Sequence, residues 1–276
     1  MIFAFKALYD IISTNIKNFR QSISMSAIEL KKTYSGSTFG MVWAFVKPVL
    51  FVLVYWFGIT IGIKGGGSGN VPYIFSLIAG ILPWFFISES WFRCGTSIRR
   101  NKHLVTKTVF PISTIPVFEE MHQFLVHMIL TAVAAVIFAI TGYLSFNFVQ
   151  IFYAWICLFV LMWAVSLIFS ALVVVSRDFE HMIKSLTQVL FWLSPILWNI
   201  EKVKDYPIVY TIVRLNPVSY IIEVYRSAFL GNFGITYSWF FNDIIGTACF
   251  WGEVVIIALV GSYLFKKLER DFADIL

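Results

Sequence analysis

The chain has 276 residues, of which 59% are hydrophobic and 18% aromatic, and its mean hydropathy is +0.81. Soluble domains contain about 45–50% apolar residues, so this composition excludes a water-soluble globular protein and predicts an all-α integral membrane protein. In such a protein the net charge of +6 reports orientation, and we do not expect nucleic acid as a partner. The three cysteines, Cys94, Cys157 and Cys249, have no disulfide or metal-ligand spacing.

Residues 1–34 contain no apolar run long enough to cross a membrane. Apolar side chains recur there every three or four residues, at Phe5, Leu8, Ile12, Ile16 and Phe19. This period predicts an amphipathic helix, and a basic helix of this kind is typical of a membrane surface. The alternative is a helix that packs on the cytosolic face of the protein itself.

Residues 35–276 are predicted to form one transmembrane domain with six spans. The first apolar run exceeds the ~20 residues that a helix needs to cross a bilayer, and it contains Lys47 before Pro48. A charge within a span is costly and marks a functional candidate. The predicted spans are residues 39–63, 73–92, 117–141, 151–175, 186–200 and 244–265.

The fifth run has only 15 residues, and the apolar fragments after it are interrupted by Pro207, Pro217 and Gly231. This pattern predicts re-entrant half-helices between the fifth and sixth spans. With the N-terminus inside, the predicted cytosolic segments hold 15 Lys and Arg residues, whereas the outer segments hold five. The positive-inside rule therefore predicts that both termini are cytosolic.

The connection 93–115 carries five positive charges and no acidic residue. Glu89 precedes Arg93 by four residues, which predicts a local ion pair on a helix. Glu119-x-x-His122 has the spacing of half a carboxylate di-iron site, but the second copy and the further glutamates are missing. We therefore expect no metal there, and we interpret this stretch as a helix end that projects into the cytosol.

An enzyme is the weaker alternative to a transporter subunit. The sequence has no nucleotide-binding, haem or zinc motif. The predicted outer segments offer four widely spaced carboxylates: Glu201, Asp205, Glu223 and Asp243. A membrane-embedded enzyme that acts on polyprenyl-linked sugars stays open as the alternative.

A series of short motifs extends over about residues 35–276. They are Gly40-x-x-Trp43-x-x-x-x-Pro48, Gly80-x-x-x-Trp84-Phe85-Phe86, Phe110-Pro111, Arg177-Asp178, Ser194-Pro195-Ile196, Asn216-Pro217 and Tyr225-Arg226. In this order and spacing they resemble the permease subunits of type 2 ABC exporters that move polysaccharides out of bacteria. Val54-Tyr55-Trp56, residues 194–198 and Phe272-Ala273-Asp274 are most similar to wall teichoic acid export permeases, while O-antigen and capsule permeases share the same skeleton. Lys47 and Glu253 depart from the family pattern, in which these places are usually uncharged.

The resemblance implies a homodimer of this chain with two copies of a separate ATP-binding subunit. ATP and Mg²⁺ would bind to that subunit, so this chain would be a permease rather than an enzyme and would bind no cofactor. It also implies a multi-pass protein of the bacterial cytoplasmic membrane. The implied cargo is a glycan or polyol-phosphate polymer on undecaprenyl diphosphate: teichoic acid, O-antigen or capsular polysaccharide.

Four sets of residues are candidates for these roles. Lys31, Lys32 and Tyr34 are predicted to capture the lipid diphosphate headgroup, unless the lysines only anchor the first span. Trp43, Lys47, Phe51 and Tyr55 are predicted to line the translocation path. Arg99, Arg100, Lys102, His103 and Lys107 are predicted to couple to the ATPase, unless this loop only enforces the positive-inside rule.

The fourth set is the pair of buried charges. Lys47 and Glu253 lie at similar predicted depths and are expected to interact within one subunit or across the dimer. The alternative is that Lys47 extends to the inner interface and that Glu253 is protonated.

Overall fold

The computed structural model describes residues 2–35, 38–62, 71–108, 110–231 and 239–276. Every regular element in these ranges is helical. The α-helices are α1 (Ile2–Lys17), α2 (Phe19–Tyr34), α3 (Trp43–Trp56), α4 (Tyr73–Arg100), α5 (Lys102–Lys107), α6 (Thr114–Ile140), α7 (Ile151–Val175), α8 (Asp178–Leu193), α9 (Pro207–Arg214), α10 (Pro217–Leu230), α11 (Ile244–Leu268) and α12 (Phe272–Ile275).

Five stretches of the described chain are long and apolar enough to cross a membrane. They are Gly40–Gly62, Tyr73–Lys107, Thr114–Ile140, Phe146–Val175 and Ile244–Ile275. They overlap five of the six predicted spans. The second extends furthest beyond its prediction, since α4 runs to Arg100 rather than to residue 92. Residues 94–98 continue the helix because their side chains are buried in the bundle, so part of the predicted polar connection 93–115 is helix.

The helix in the region of the predicted span 186–200 begins and ends earlier than predicted. This helix, α8, begins at Asp178, where the hydroxyl of Ser176 accepts the amide of Asp178 at 3.2 Å. It ends at Leu193, because the residue before a proline, here Ser194, avoids helical geometry. The 16 residues of α8 extend over about 24 Å at 1.5 Å per residue. This is less than the ~30 Å of a hydrocarbon core.

The helix α4 lies at the centre of the bundle, where it contacts α3, α6, α7, α8 and α10. The first span is packed differently. Its main helical neighbour is α4, and none of the residues in its apolar window is buried within the chain. One whole side of α3 is therefore left uncovered by the described residues.

Residues 2–34 form two helices that meet at Asn18, rather than the single helix predicted for residues 1–34. Ala7 and Ile11 of α1 are buried, and α1 contacts α11, while α2 contacts α6. Most of the predicted apolar stripe, including Phe5, Ile12, Ile16 and Phe19, is exposed. The N-terminal helices thus pack on the bundle with one face. Contact of the other face with a membrane stays a prediction.

Candidate functional site

The motif residues that are far apart in the sequence meet around Arg226, whose side chain is 1% exposed. The Arg226 guanidinium donates to the carbonyl of Ile196 at 2.8 Å and to that of Trp198 at 3.0 Å. The hydroxyl of Tyr73 donates to the carbonyl between them, that of Leu197, at 2.8 Å. Three consecutive carbonyls of the irregular segment after α8 therefore accept hydrogen bonds from side chains. We call this group of five residues the Arg226 cluster.

Two further motifs fix the surroundings of this cluster. Asn216 begins α10 with its side-chain oxygen, which accepts the amide of Val218 at 3.0 Å, and its amide donates to the Ser194 hydroxyl at 2.8 Å. The Tyr225 hydroxyl lies 2.6 Å from Nε2 of His127 on α6. These contacts join the end of α8, the start of α10 and the middle of α6. The motif residues therefore hold together the part of the chain that follows α8, where the backbone is least regular.

Gly80 on α4 is the point of closest approach to the Arg226 cluster. A Cβ at this position would lie 2.9 Å from an Arg226 Nη atom and 2.9 Å from the Ile196 carbonyl oxygen. Only glycine leaves room for both groups. This geometry accounts for the glycine at the start of the motif Gly80-x-x-x-Trp84-Phe85-Phe86.

The four predicted path residues divide between two sides of α3. Phe51 and Tyr55 both contact Phe191 of α8, with ring centroids 5.8 and 5.6 Å apart. Trp43 and Lys47 instead line a cavity of about 440 Å³ on the side of α6. Residues four apart on a helix are offset by about 40° because the helix has 3.6 residues per turn, so a stripe of four such residues turns away from one neighbour towards another.

The cavity beside Lys47 brings charged side chains of two helices together. We call it the α3–α6 groove, and α3, α4 and α6 form its walls, with Thr33 of α2 at one end. Its charged members are Lys47, Glu89 and Arg93. The predicted ion pair between Glu89 and Arg93 is confirmed, with Oε1 and Nε 3.3 Å apart. The other lining residues are Gly40, Trp43, Ala44, Pro48, Phe85, Phe86, Gln123, Val126, His127 and Leu130.

The predicted coupling residues also divide into two groups. Arg100 is ion-paired with Glu119 on α6, and Arg99 donates to the carbonyl of Val173 on α7 at 3.2 Å. These two arginines therefore hold the bundle together. The remaining three, Lys102, His103 and Lys107, are exposed on the short helix α5, which contacts α12.

The stretch around Glu119 is not a projection into solvent, and that prediction is wrong. Glu119, Glu120 and His122 are all fully buried. Their burial follows from the extension of α4 and from the packing of α2 on α6. Glu119 contacts Arg100 and lies 3.9 Å from Arg93, so the predicted basic connection supplies the partners of a buried carboxylate.

The predicted headgroup residues lie at the end of α2. Lys31 is exposed, and Lys32 is ion-paired with Glu29 at 3.0 Å. The side chain of Tyr34 lies outside the described residues. Their role in capturing a headgroup stays a prediction.

Within one chain the predicted pair of Lys47 and Glu253 is not formed. No ion pair among the described residues joins them. Lys47 lies on α3, whose main helical neighbour is α4, whereas Glu253 lies on α11, which contacts α1, α7 and α10. An interaction across a dimer stays a prediction.

Replacing Gly80 by alanine tests the Arg226 cluster. We expect Gly80→Ala to lower the thermal stability of the purified chain by an amount equivalent to about 1–3 kcal/mol, because one or more carbonyls lose their hydrogen bonds. The matched control is Gly252→Ala in α11, where an added Cβ meets nothing within 4 Å and alanine favours the helix. Equal melting temperatures for the two variants would contradict the role of the cluster.

Comparison with known proteins assigns most of the chain to one family. The family described as ABC-2 type transporter matches residues 20–230. The chain is 29% identical to the O-antigen export system permease protein RfbA of Klebsiella pneumoniae over 253 residues, covering 90% of this chain and 92% of that protein.

Two further relatives carry the same name. A second protein of Klebsiella pneumoniae is 28% identical over 260 residues, with 90% and 92% covered. One of Myxococcus xanthus is 24% identical over 267 residues, with 91% and 94% covered. Since the family match includes the first span, the Arg226 cluster and the α3–α6 groove, the chain belongs to the ABC-2 type transporter family of membrane proteins.

Proposed function

We propose that this chain is the membrane permease of an ATP-driven exporter that moves a lipid-linked polysaccharide out of the cytosol. The observation that carries the proposal is the similarity to O-antigen export permeases over 90% of the chain. The helical bundle supports it, because its motif residues hold irregular backbone in place between apolar helices. The relatives' names favour a saccharide polymer. Teichoic acid on undecaprenyl diphosphate is the second candidate, supported by the segments near Tyr55 and Phe272.

Depleting the chain in its own bacterium tests the cargo. We expect a lipid-linked saccharide polymer to accumulate on the cytosolic side, because synthesis continues while export stops, and re-expression to clear it. Extraction of the lipid fraction and analysis of its sugars measures this. Accumulation of a polyol-phosphate polymer would favour teichoic acid, and no accumulation of any polymer would contradict the proposal.

The topology that we infer has six crossings with both termini cytosolic in the cytoplasmic membrane. Five candidate spans alone would put the termini on opposite sides, but the basic segments flank both. We infer that α8 and the Ser194–Trp198 segment together make the sixth crossing, and that α9 and α10 are the re-entrant half-helices. The carbonyls held by Arg226 and Tyr73 support this, since irregular backbone at membrane depth needs partners in the protein. Labelling of Lys202 from the cytosol would contradict it.

The permease needs an ATPase, and α5 is the proposed docking element. Its exposed residues, Lys102, His103 and Lys107, form a basic surface at the end of the bundle that we place in the cytosol. Arg99 and Arg100 are left out of this surface because they contact Val173 and Glu119.

Charge reversal on α5 tests this docking. We expect Lys102→Glu combined with Lys107→Glu to reduce co-purification of the ATP-binding subunit about tenfold, because two attractive contacts become repulsive. The control is Lys17→Glu with Lys31→Glu, two exposed lysines of α1 and α2. Unchanged co-purification of the α5 variant would place docking elsewhere.

We also propose that the permease is a homodimer that meets through α3 and α8. The first span has no buried residue in its apolar window. On α8, Val189 and Trp192 are 59% and 58% exposed. The contacts of Phe191 with Phe51 and Tyr55 place α8 beside α3. A second copy would cover both faces.

A single cysteine on α8 tests the interface. In a Cys249→Ser background, where the remaining Cys94 and Cys157 are buried, we expect Val189→Cys to form a cross-linked dimer with a bifunctional maleimide. The control is Val136→Cys on α6, which is 57% exposed and hence equally accessible. Cross-linking of the control but not of the α8 variant would contradict this interface.

A further inference from the structure

Among the described residues, Lys47 of the first span has no ion-pair partner. No carboxylate of the described residues lies within ion-pair distance of its ammonium group, and its side chain is exposed to the α3–α6 groove. The other cation of the groove, Arg93, already has Glu89 at 3.3 Å and Glu119 at 3.9 Å. The groove therefore carries one uncompensated positive charge.

The groove lies on the side of α3 that faces α6, whereas Phe51 and Tyr55 of α3 contact Phe191 of α8. The groove lining comes from α3, α4 and α6, and Thr33 of α2 also belongs to it. Lys47 lies four residues after the first residue of α3, about 6 Å along the axis at 1.5 Å per residue. Its long side chain can thus hold the ammonium near the level of lipid headgroups. Apolar side chains, among them Trp43, Phe85 and Leu130, line the rest of the groove.

Uncharged polar groups accompany the lysine. Pro48 has no amide hydrogen, so the carbonyl of Ala44 lacks its usual helical donor, and both residues line the groove. Gln123 and Thr33 belong to the same lining, and the Thr33 hydroxyl accepts a hydrogen bond from Arg93 at 3.5 Å. A ligand that offers hydroxyl groups beside one negative charge matches this set.

We propose that the α3–α6 groove binds one anionic glycerophospholipid, with its phosphate at Lys47 and its acyl chains along the apolar wall. The net charge of −1 on a lipid such as phosphatidylglycerol balances the single uncompensated cation. A polyprenyl diphosphate carries more negative charge than the groove neutralises. This lipid site goes beyond the proposed transport function.

The bound lipid would fill the space between α3 and α6. These two helices have few direct contacts, and α4 is the main neighbour of α3 within the chain. The lipid therefore supplies packing on one side of the first span and neutralises its charge at the same time.

Lipid binding by the full chain, purified without an ATP-binding subunit, tests the proposal. After delipidation and incubation with vesicles of phosphatidylglycerol or phosphatidylcholine, native mass spectrometry counts retained lipids. We expect one phosphatidylglycerol per chain and little phosphatidylcholine. Lys47→Gln should weaken retention about tenfold or more, because one charge-assisted contact is lost, and Lys47→Arg should preserve it.

Two further variants separate the groove from general surface charge. Ala44→Phe fills the groove and keeps its charge, so it should also abolish retention, whereas Lys17→Gln removes an exposed lysine of α1 and should leave retention unchanged. The proposal is overturned if the Lys47 and Ala44 variants retain phosphatidylglycerol as the unmodified chain does, or if phosphatidylcholine binds equally well. Displacement by substoichiometric polyprenyl diphosphate would assign the groove to the lipid carrier instead. Because no transport is measured, failure here leaves the proposed export function intact.

Discussion

The hydrogen bonds of Arg226 to the backbone are the interaction on which the non-helical segment after α8 and its surroundings depend. The segment from Ser194 to Trp198 leaves helical geometry among apolar helices, where an unpaired carbonyl costs several kcal/mol. Arg226 and Tyr73 supply the missing donors. A guanidinium suits this task because its planar group presents five N–H donors in a fixed arrangement. The close packing of Gly80 then fixes α4 against the Ile196 carbonyl and the Arg226 guanidinium.

At the other end of the bundle, a buried charge likewise has partners within the protein. Glu119 is fully buried but has Arg100 as an ion-pair partner and Arg93 nearby, so its desolvation is offset. Arg93 in turn contacts Glu89 at the edge of the α3–α6 groove. One continuous set of charges therefore connects the base of α5 with the groove. Lys47 lies in the same groove but outside this set.

The length of the apolar runs predicted five of the spans, because a run of about 20 apolar residues usually forms a transmembrane helix. It misplaced α8, whose first half is polar and whose last residues run into Ser194-Pro195. It also made Glu119 appear solvent-exposed, since the sequence did not show that α4 continues to Arg100 and buries it. Similar depth in the membrane suggested that Lys47 pairs with Glu253. Depth alone, however, does not tell which helices are neighbours. Packing decides which helices lie next to each other, and here it places Lys47 away from α11.

The order in which the Arg226 cluster is synthesised has a consequence for membrane insertion. Ile196 leaves the ribosome 30 residues before Arg226. Of the two donor side chains, only Tyr73 exists when the irregular segment emerges, and it serves one carbonyl of three. The carbonyls of Ile196 and Trp198 must stay hydrated, or paired with another chain, until α10 has been made. We therefore expect the segment from α8 to α10 to settle in the bilayer as a unit, after translation of α10, rather than helix by helix.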